Sequence, residues 1–307
     1  MATSESAQLA PVVFATRAPS AGFWYDAAYR FRHDRVSLAA AAALVTLVAL
    51  AAAADLLADG FFHYTVTQQD LLNTYAKPNG ADPAFWFGGD EIGRSQIVRL
   101  LFGGRVSLAV GFGAGVINLT LGIVLGLAAG YFRGWVDDAM QFVITTLNAI
   151  PAIFLLLLFS VLFTPGPVTL VVVIGFLTWP GITLFVRGQT LSLREREFVV
   201  AARVIGATDA RLMFRHLFPN VLPLVIILSA IDVGTIILIE SALSFLGLGI
   251  NPPTPSWGNM LTNAAAYLSR GPWLVYAPGA AIFLTVLCLY LVGDGLRDAL
   301  DPRLKHA

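Results

Sequence analysis

The sequence predicts an all-α polytopic membrane protein with six transmembrane helices, and three observations carry that prediction. Of 307 residues, 57% are hydrophobic and only 12% are charged, about half the charged share of a soluble domain. The apolar residues gather in runs of about 20, the length a helix needs to cross a hydrocarbon core of about 30 Å. Basic residues fall between these runs and divide unequally between alternate connections, as they do in chains threaded through a bilayer.

Taken in order, the runs cover 37–58, 105–130, 139–163, 168–187, 222–246 and 276–294. The polar segment 1–36 carries Arg17, Arg30, Arg32 and Arg35. It is too long for a signal-peptide n-region and precedes a run long enough to span, so a retained first helix is expected. Arg133 follows the second run, Arg187, Arg194, Arg196, Arg203, Arg211 and Arg215 follow the fourth, and Arg297, Arg303 and Lys305 follow the last. The alternate connections hold only Lys77, Arg94, Arg99, Arg105 and Arg270. The positive-inside rule therefore expects both termini, with the 297–307 tail, in the cytoplasm, together with the loop 188–221. Segments 59–104 and 247–275 are expected outside, and 105–296 forms a core of five spans.

Inside the second run, Gly122, Gly126 and Gly130 recur every four residues, as do Gly111 and Gly115, making ridges on which another helix can approach closely. Pro151, Pro180 and Pro223 interrupt or begin apolar runs, and such breaks are tolerated where protein or a cavity receives the freed carbonyls. Pro252, Pro253 and Pro255 forbid helix after the fifth run and favour an extended connection. Trp257 and Trp273 suit either membrane-interface anchoring or contact with a partner.

The most polar stretch between runs is FVVAARVIGATDARLMFRHLFPN, residues 198–220. Apolar residues recur with helical spacing at Phe198, Ala201, Ala202 and Ile205, and again at Leu212, Met213 and Leu217. The pattern predicts two short amphipathic helices joined by a turn. Gly206 supplies the left-handed residue that ends the first, and Thr208 caps the second with Asp209 near its positive end.

Catalytic signatures are missing. His33, His63, His216 and His306 are scattered without metal-ligand spacing. GFGAG at 111–115 lacks the dinucleotide fingerprint, and neither a P-loop nor a GxSxG elbow occurs. Zero formal net charge removes support for nucleic-acid binding, and the single cysteine, Cys288, lies in an apolar run and reads as a packing residue. Asp232 and Glu240 are the unusual ionisable groups, placed within the fifth run. A carboxylate at mid-bilayer costs about 3 kcal/mol, so both must face protein or water. Eight residues apart, they lie about 80° from one another around a helix. A structural hydrogen-bonding role and a place on a polar pathway both fit.

Several ordered motifs between residues 87 and 303 resemble the permease subunits of ATP-binding-cassette importers for dipeptides, oligopeptides and, in some members, nickel or glutathione. They are GGDEIGR and RLLFGGRVSL, AGYFRGWVD, AIP, WPG with VRGQTLSLREREFVVAARVIGA, FRHLFPNVLP, ESALSFLGLG, PPTPSWG and GDGLRDALDPR. The order is similar to that of the second permease type in such systems. The resemblance implies a type I importer architecture and one half of a pore shared with a homologous second permease. It implies two peripheral ATPase subunits that use ATP and Mg, and an extracytoplasmic binding protein that delivers substrate. The chain itself would hold no cofactor or metal and have no catalytic residue.

Family permeases dock on their ATPases through a loop with the pattern EAA, three residues, Gly, then Leu-Pro. Ala201, Ala202, Gly206 and Pro219 match it, with Glu197, Phe198, Arg203, Ala207 and Arg215 in the same loop. Val200 and Phe218 stand where the family has Glu and Leu, and Gly89 and Ser95 where it has Thr and Asp. Short peptides are the expected cargo by family frequency, with nickel or glutathione as alternatives. The rival from another class is an ion-coupled transporter using Asp232 and Glu240 as proton sites.

Overall fold

The computed structural model describes residues 22–164 and 166–301; Arg17, Arg303, Lys305 and His306 lie outside them. Helix α1 (Phe23–His33) breaks at Asp34, whose carboxylate accepts the N–H groups of Val36 and Ser37 at 3.1 and 3.3 Å and so caps α2 (Arg35–Ala52). A short α3 (Ala54–Leu57) follows. After an irregular segment, Ser95 caps the long α4 (Gln96–Phe132) by accepting from the Val98 N–H at 3.3 Å. There follow α5 (Gly134–Ala149), α6 (Ala152–Leu162), α7 (Pro167–Leu193), α8 (Glu197–Val204), α9 (Asp209–Arg211), α10 (Phe218–Phe245), α11 (Ala264–Arg270) and α12 (Trp273–Leu300). No strand forms among the described residues.

Helices α2, α4, α7, α9–α10 and α12 are long and apolar enough to cross a membrane. The third expected span is bent: α5 and α6 meet at 83°. Its cause is local, because a residue before proline avoids the helical region and Ile150, preceding Pro151, is extended at φ −99°, ψ 124°. The bent pair still has to cross. Gly122, Gly126 and Gly130 of α4 meet Ile182, Val186 and Thr190 of α7 in ascending order, so α4 and α7 run parallel. Only a return through α5 and α6 can join them. Against α4, α10 is antiparallel, with Gly115 facing Val233, and α12 is antiparallel to α10, with Gly293 facing Ile231. Six passes leave both described chain ends on one side, where Arg30 Nη1 donates to the Asp301 carbonyl at 2.9 Å. We call this the loop end, since α8 lies there, and the opposite one the far end.

The glycine ridges are filled within the chain. A Cβ on Gly126 would stand 2.7 Å from Val186 Cβ and 2.8 Å from the Thr183 carbonyl oxygen, so only hydrogen there lets α4 and α7 approach this closely. Pro180 and Pro223 sit inside α7 and α10 without ending them.

Several helices run past the apolar stretches that predicted them. Helix α4 starts well before residue 105, at Gln96, and α12 continues beyond residue 294 to Leu300. Segment 247–275 contains helix α11. Trp257 is no membrane anchor: it is 3% exposed, packs on Gly104 and donates its indole N–H to the Leu100 carbonyl at 3.0 Å. Trp273 likewise donates to the Gly89 carbonyl, at 3.2 Å.

Candidate functional site

At the loop end, α8 turns one edge inward and leaves the other uncovered. Val199 and Ala202, 0% and 6% exposed, enter a cluster with Leu127, Tyr131, Val186, Leu212 and Leu217. Phe198, Val200, Val204 and Ile205 point away, the last two 80% and 85% exposed. Of the apolar positions whose spacing predicted this helix, Ala202 faces the core, while Phe198, Ala201 and Ile205 are exposed. The helix is apolar on both faces, so periodicity alone could not say which face meets the core. An exposed apolar tip of this kind suits contact with another protein or with a membrane surface.

The turn is as expected from Gly206. Its φ is +88°, its N–H donates to the Arg203 carbonyl and the Ala207 N–H to the Ala202 carbonyl, both at 3.0 Å, which is a Schellman ending. Thr208 Oγ1 accepts the Arg211 N–H at 3.4 Å. The second arm differs from the short separate helix expected. Helix α9 passes through a wide π-type turn, Leu212–Leu217, straight into α10. Pro219 has no N–H to give the carbonyl one turn back, which favours such a widened stretch just before it. The tip is therefore held on a stem that is itself a span.

Of the residues assigned to this loop, Glu197, Phe198, Ala201, Arg203, Gly206, Arg215 and Pro219 are exposed, Ala207 is half-buried and Ala202 faces the core. Val204 and Ile205 were missed as outward residues; their signal was two large β-branched side chains beside a glycine turn. Across the same end, Arg187 forms a two-pronged ion pair with Asp137 of α5, at 2.5 and 2.6 Å, and Arg133 meets Glu195 at 2.6 Å.

The two intramembrane carboxylates both face α4, yet their surroundings separate them. Asp232 is half-buried and accepts one hydrogen bond, from Asn118 Nδ2 at 2.5 Å. Glu240 is 0% exposed. Ser244 Oγ donates to it at 2.8 Å and Ser241 Oγ lies at 3.5 Å, while Ser107 and Ser256 are also hydrogen-bonded to it. Each of the hydroxyls of Ser107, Ser244 and Ser256 in turn accepts a backbone N–H, from Trp257, Ile250 and Asn259 respectively, each at 3.1 Å. Those N–H groups leave each hydroxyl proton free to turn to the carboxylate. Asn259 closes the loop by donating to the carbonyls of Ile250 and Thr254 at 3.0 and 2.8 Å. Nothing in the sequence beyond RLLFGGRVSL, ESALSFLGLG and PPTPSWG announced this cage; four serines from three segments had to be brought to one glutamate.

Nearby, Asp90 of the GGDEIGR motif accepts Arg94 Nε at 2.6 Å and the N–H groups of Ile92 and Arg94. Tyr267 donates to Glu91 at 2.9 Å. Burial, with Glu91 beside it, raises the Tyr267 phenol well above its ordinary range, so it stays a donor.

Comparison with known proteins identifies the family. Residues 122–306 match the family described as binding-protein-dependent transport system inner membrane component, and residues 22–78 match the N-terminal TM domain of oligopeptide transport permease C. The chain is 38% identical over 280 residues to the oligopeptide transport system permease protein OppC of Haemophilus influenzae, covering 91% of this chain and 88% of that one. It is 37% identical over 293 residues to the glutathione transport system permease protein GsiD of Pectobacterium atrosepticum, covering 94% and 93%. It is 34% identical over 282 residues to the dipeptide transport system permease protein DppC of Alkalihalophilus pseudofirmus, covering 92% and 90%.

Proposed function

We propose that this chain, which belongs to the family of binding-protein-dependent transport system inner membrane components, works as one of two homologous permeases in an ATP-binding-cassette importer of short peptides. The observation that carries the reading is the α8 tip: an apolar surface, Val204 and Ile205, held outside the apolar bundle on a stem continuous with a span. Two ATPase subunits bind ATP and Mg and close on such tips, and a stiff stem turns that closure into movement of the spans. A binding protein delivers cargo at the far end. Both termini and α8 lie in the cytoplasm, where the basic residues gather.

Peptide cargo is supported by relatives named for oligopeptides and dipeptides. Glutathione, itself a small peptide, is the second reading because of the glutathione-named relatives. Of the two candidate path carboxylates, the buried and serine-bonded Glu240 suits a structural acceptor, and the half-buried Asp232 suits the translocation path. Reconstitution with the second permease, the ATPases and the binding protein tests the whole. Uptake of a labelled dipeptide into proteoliposomes should require ATP and survive a proton uncoupler. Uptake that the uncoupler abolishes while ATP is present would instead support the ion-coupled reading.

A further inference from the structure

One side chain at the end of α4 gathers contacts from every part of the α8 loop. Tyr131 is 5% exposed, its ring among Leu127, Val199, Ala202 and Leu212. Its hydroxyl donates to Asp209 Oδ1 at 2.5 Å, beyond the Gly206 turn. The Arg203 guanidinium of α8 lies over its ring at 5.7 Å and donates to its hydroxyl at 3.5 Å. Arg194, where α7 ends, lies over the ring at 5.9 Å and donates to the Tyr131 carbonyl at 2.5 Å. Segments before, within and after the proposed docking element therefore converge on one residue of the second span.

We infer that Tyr131 is the positioning residue through which movement of the α8 loop is delivered to the α4–α7 pair; the inference rests on the proposed docking role of α8. Two other features of the loop, its turn and its exposed ion pair, offer less grip. A Cβ on Gly206 would meet nothing within 4 Å, and Arg133–Glu195 is an exposed pair, 44% and 65%, of a kind that adds little. Tyr131 is buried, cationic groups face its ring, and its hydroxyl meets a carboxylate, a bond about twice as strong as a neutral one. Below it, α4 is locked to α7 at Gly130, Gly126 and Gly122, so displacement at Tyr131 moves both helices together.

The test uses the assembled complex in proteoliposomes, reading ATP hydrolysis with and without peptide-loaded binding protein, and peptide moved per ATP. Tyr131→Phe keeps the ring and removes the hydroxyl. We expect normal assembly, unchanged basal hydrolysis, and stimulation by loaded binding protein reduced about fivefold, with peptide per ATP falling alongside, as loss of a charge-assisted bond of this strength allows. Asp209→Asn, at an exposed position, should give the same reduction. The double variant should be no worse than either single one, because one shared bond can be lost only once. Should Tyr131→Phe fail to assemble, Asp209→Asn alone decides. Unchanged stimulation in Asp209→Asn, an equal loss of basal and stimulated hydrolysis, or effects that multiply in the double variant would overturn the inference. Ile205→Asp at the tip separates this failure from that of the docking reading. If it releases the ATPases while the Tyr131 and Asp209 variants behave as wild type, only the positioning role is wrong. If it retains them, the docking role is wrong.

Discussion

The two ends of the bundle use the same polar chemistry in opposite ways. At the far end, Glu240, Ser107, Ser244, Ser256 and Asn259 are buried and bonded to one another and to the backbone of 250–259. At the loop end, the charged contacts are partly open to solvent, and the apolar tip at Val204 and Ile205 faces outward. Leaving a buried hydrogen-bonding group without its partner costs about 1–3 kcal/mol, whereas an exposed ion pair contributes roughly 0–1 kcal/mol. The far end is thus built to hold one shape. On the proposed docking role, the loop end would be the part that is gripped and moved, with Tyr131, which meets Asp209, Arg203 and Arg194, as its joint.

The comparison breaks most visibly at Glu240. Glu240→Ala leaves the hydroxyls of Ser107, Ser244 and Ser256 without their acceptor and should destabilise the protein by about 4 kcal/mol, seen as loss of folded protein in detergent and a collapsed thermal transition. Glu240→Gln keeps one acceptor oxygen and should transport with only about 1–2 kcal/mol lost. A Glu240→Gln variant that assembles normally yet does not transport would return this residue to the translocation path. Next in size is the α4–α7 contact: Gly126→Val drives a methyl-bearing side chain into Val186 and the Thr183 carbonyl and should cost roughly 2–3 kcal/mol, measured by thermal melting.

At the loop end the effects should shift from stability to function. Gly206→Val meets no neighbour, but a β-branched residue at φ +88° is strained, so about 1–2 kcal/mol of local stability is lost. Pairing with the second permease should survive while recovery of the ATPases by pull-down falls sharply. Arg211→Lys, at an exposed position, should change stability by less than about 0.5 kcal/mol. Asp232→Asn should also leave stability almost untouched. Asn118 Oδ1 is buried without a donor, and the new amide can supply one, so stability should hold within about 1 kcal/mol. Uptake reads the pathway role separately: a large loss with normal stability supports it, and unchanged uptake removes it.

Much of this was legible in the residues. Apolar runs announced the spans because a bilayer demands length and apolarity, and Gly206 announced its turn because few residues other than glycine take positive φ readily. The glycine spacing of 122, 126 and 130 announced close packing, though not that α7 fills it. The bend at Pro151 was hidden because proline was compatible with a straight span, as Pro180 and Pro223 show. Which edge of α8 faces inward was hidden because both are apolar. The Glu240 cage and the Tyr131 hub join residues more than a hundred positions apart, or on both sides of a turn, and no local pattern records such meetings. Even Trp257, whose type suggests a membrane interface, is claimed by a space that only Gly104 leaves open.

The contrast between a fixed far end and a moving loop end is tested most directly by amide hydrogen exchange on the assembled complex, compared without nucleotide and with the ATPases held closed by a non-hydrolysable ATP analogue. Amides of residues 197–211 and those around Tyr131 should change protection by about tenfold or more, equivalent to about 1.4 kcal/mol. Those of 250–259, tied through serines to Glu240, should not change. Altered protection in 250–259 with 197–211 unaffected would contradict the account.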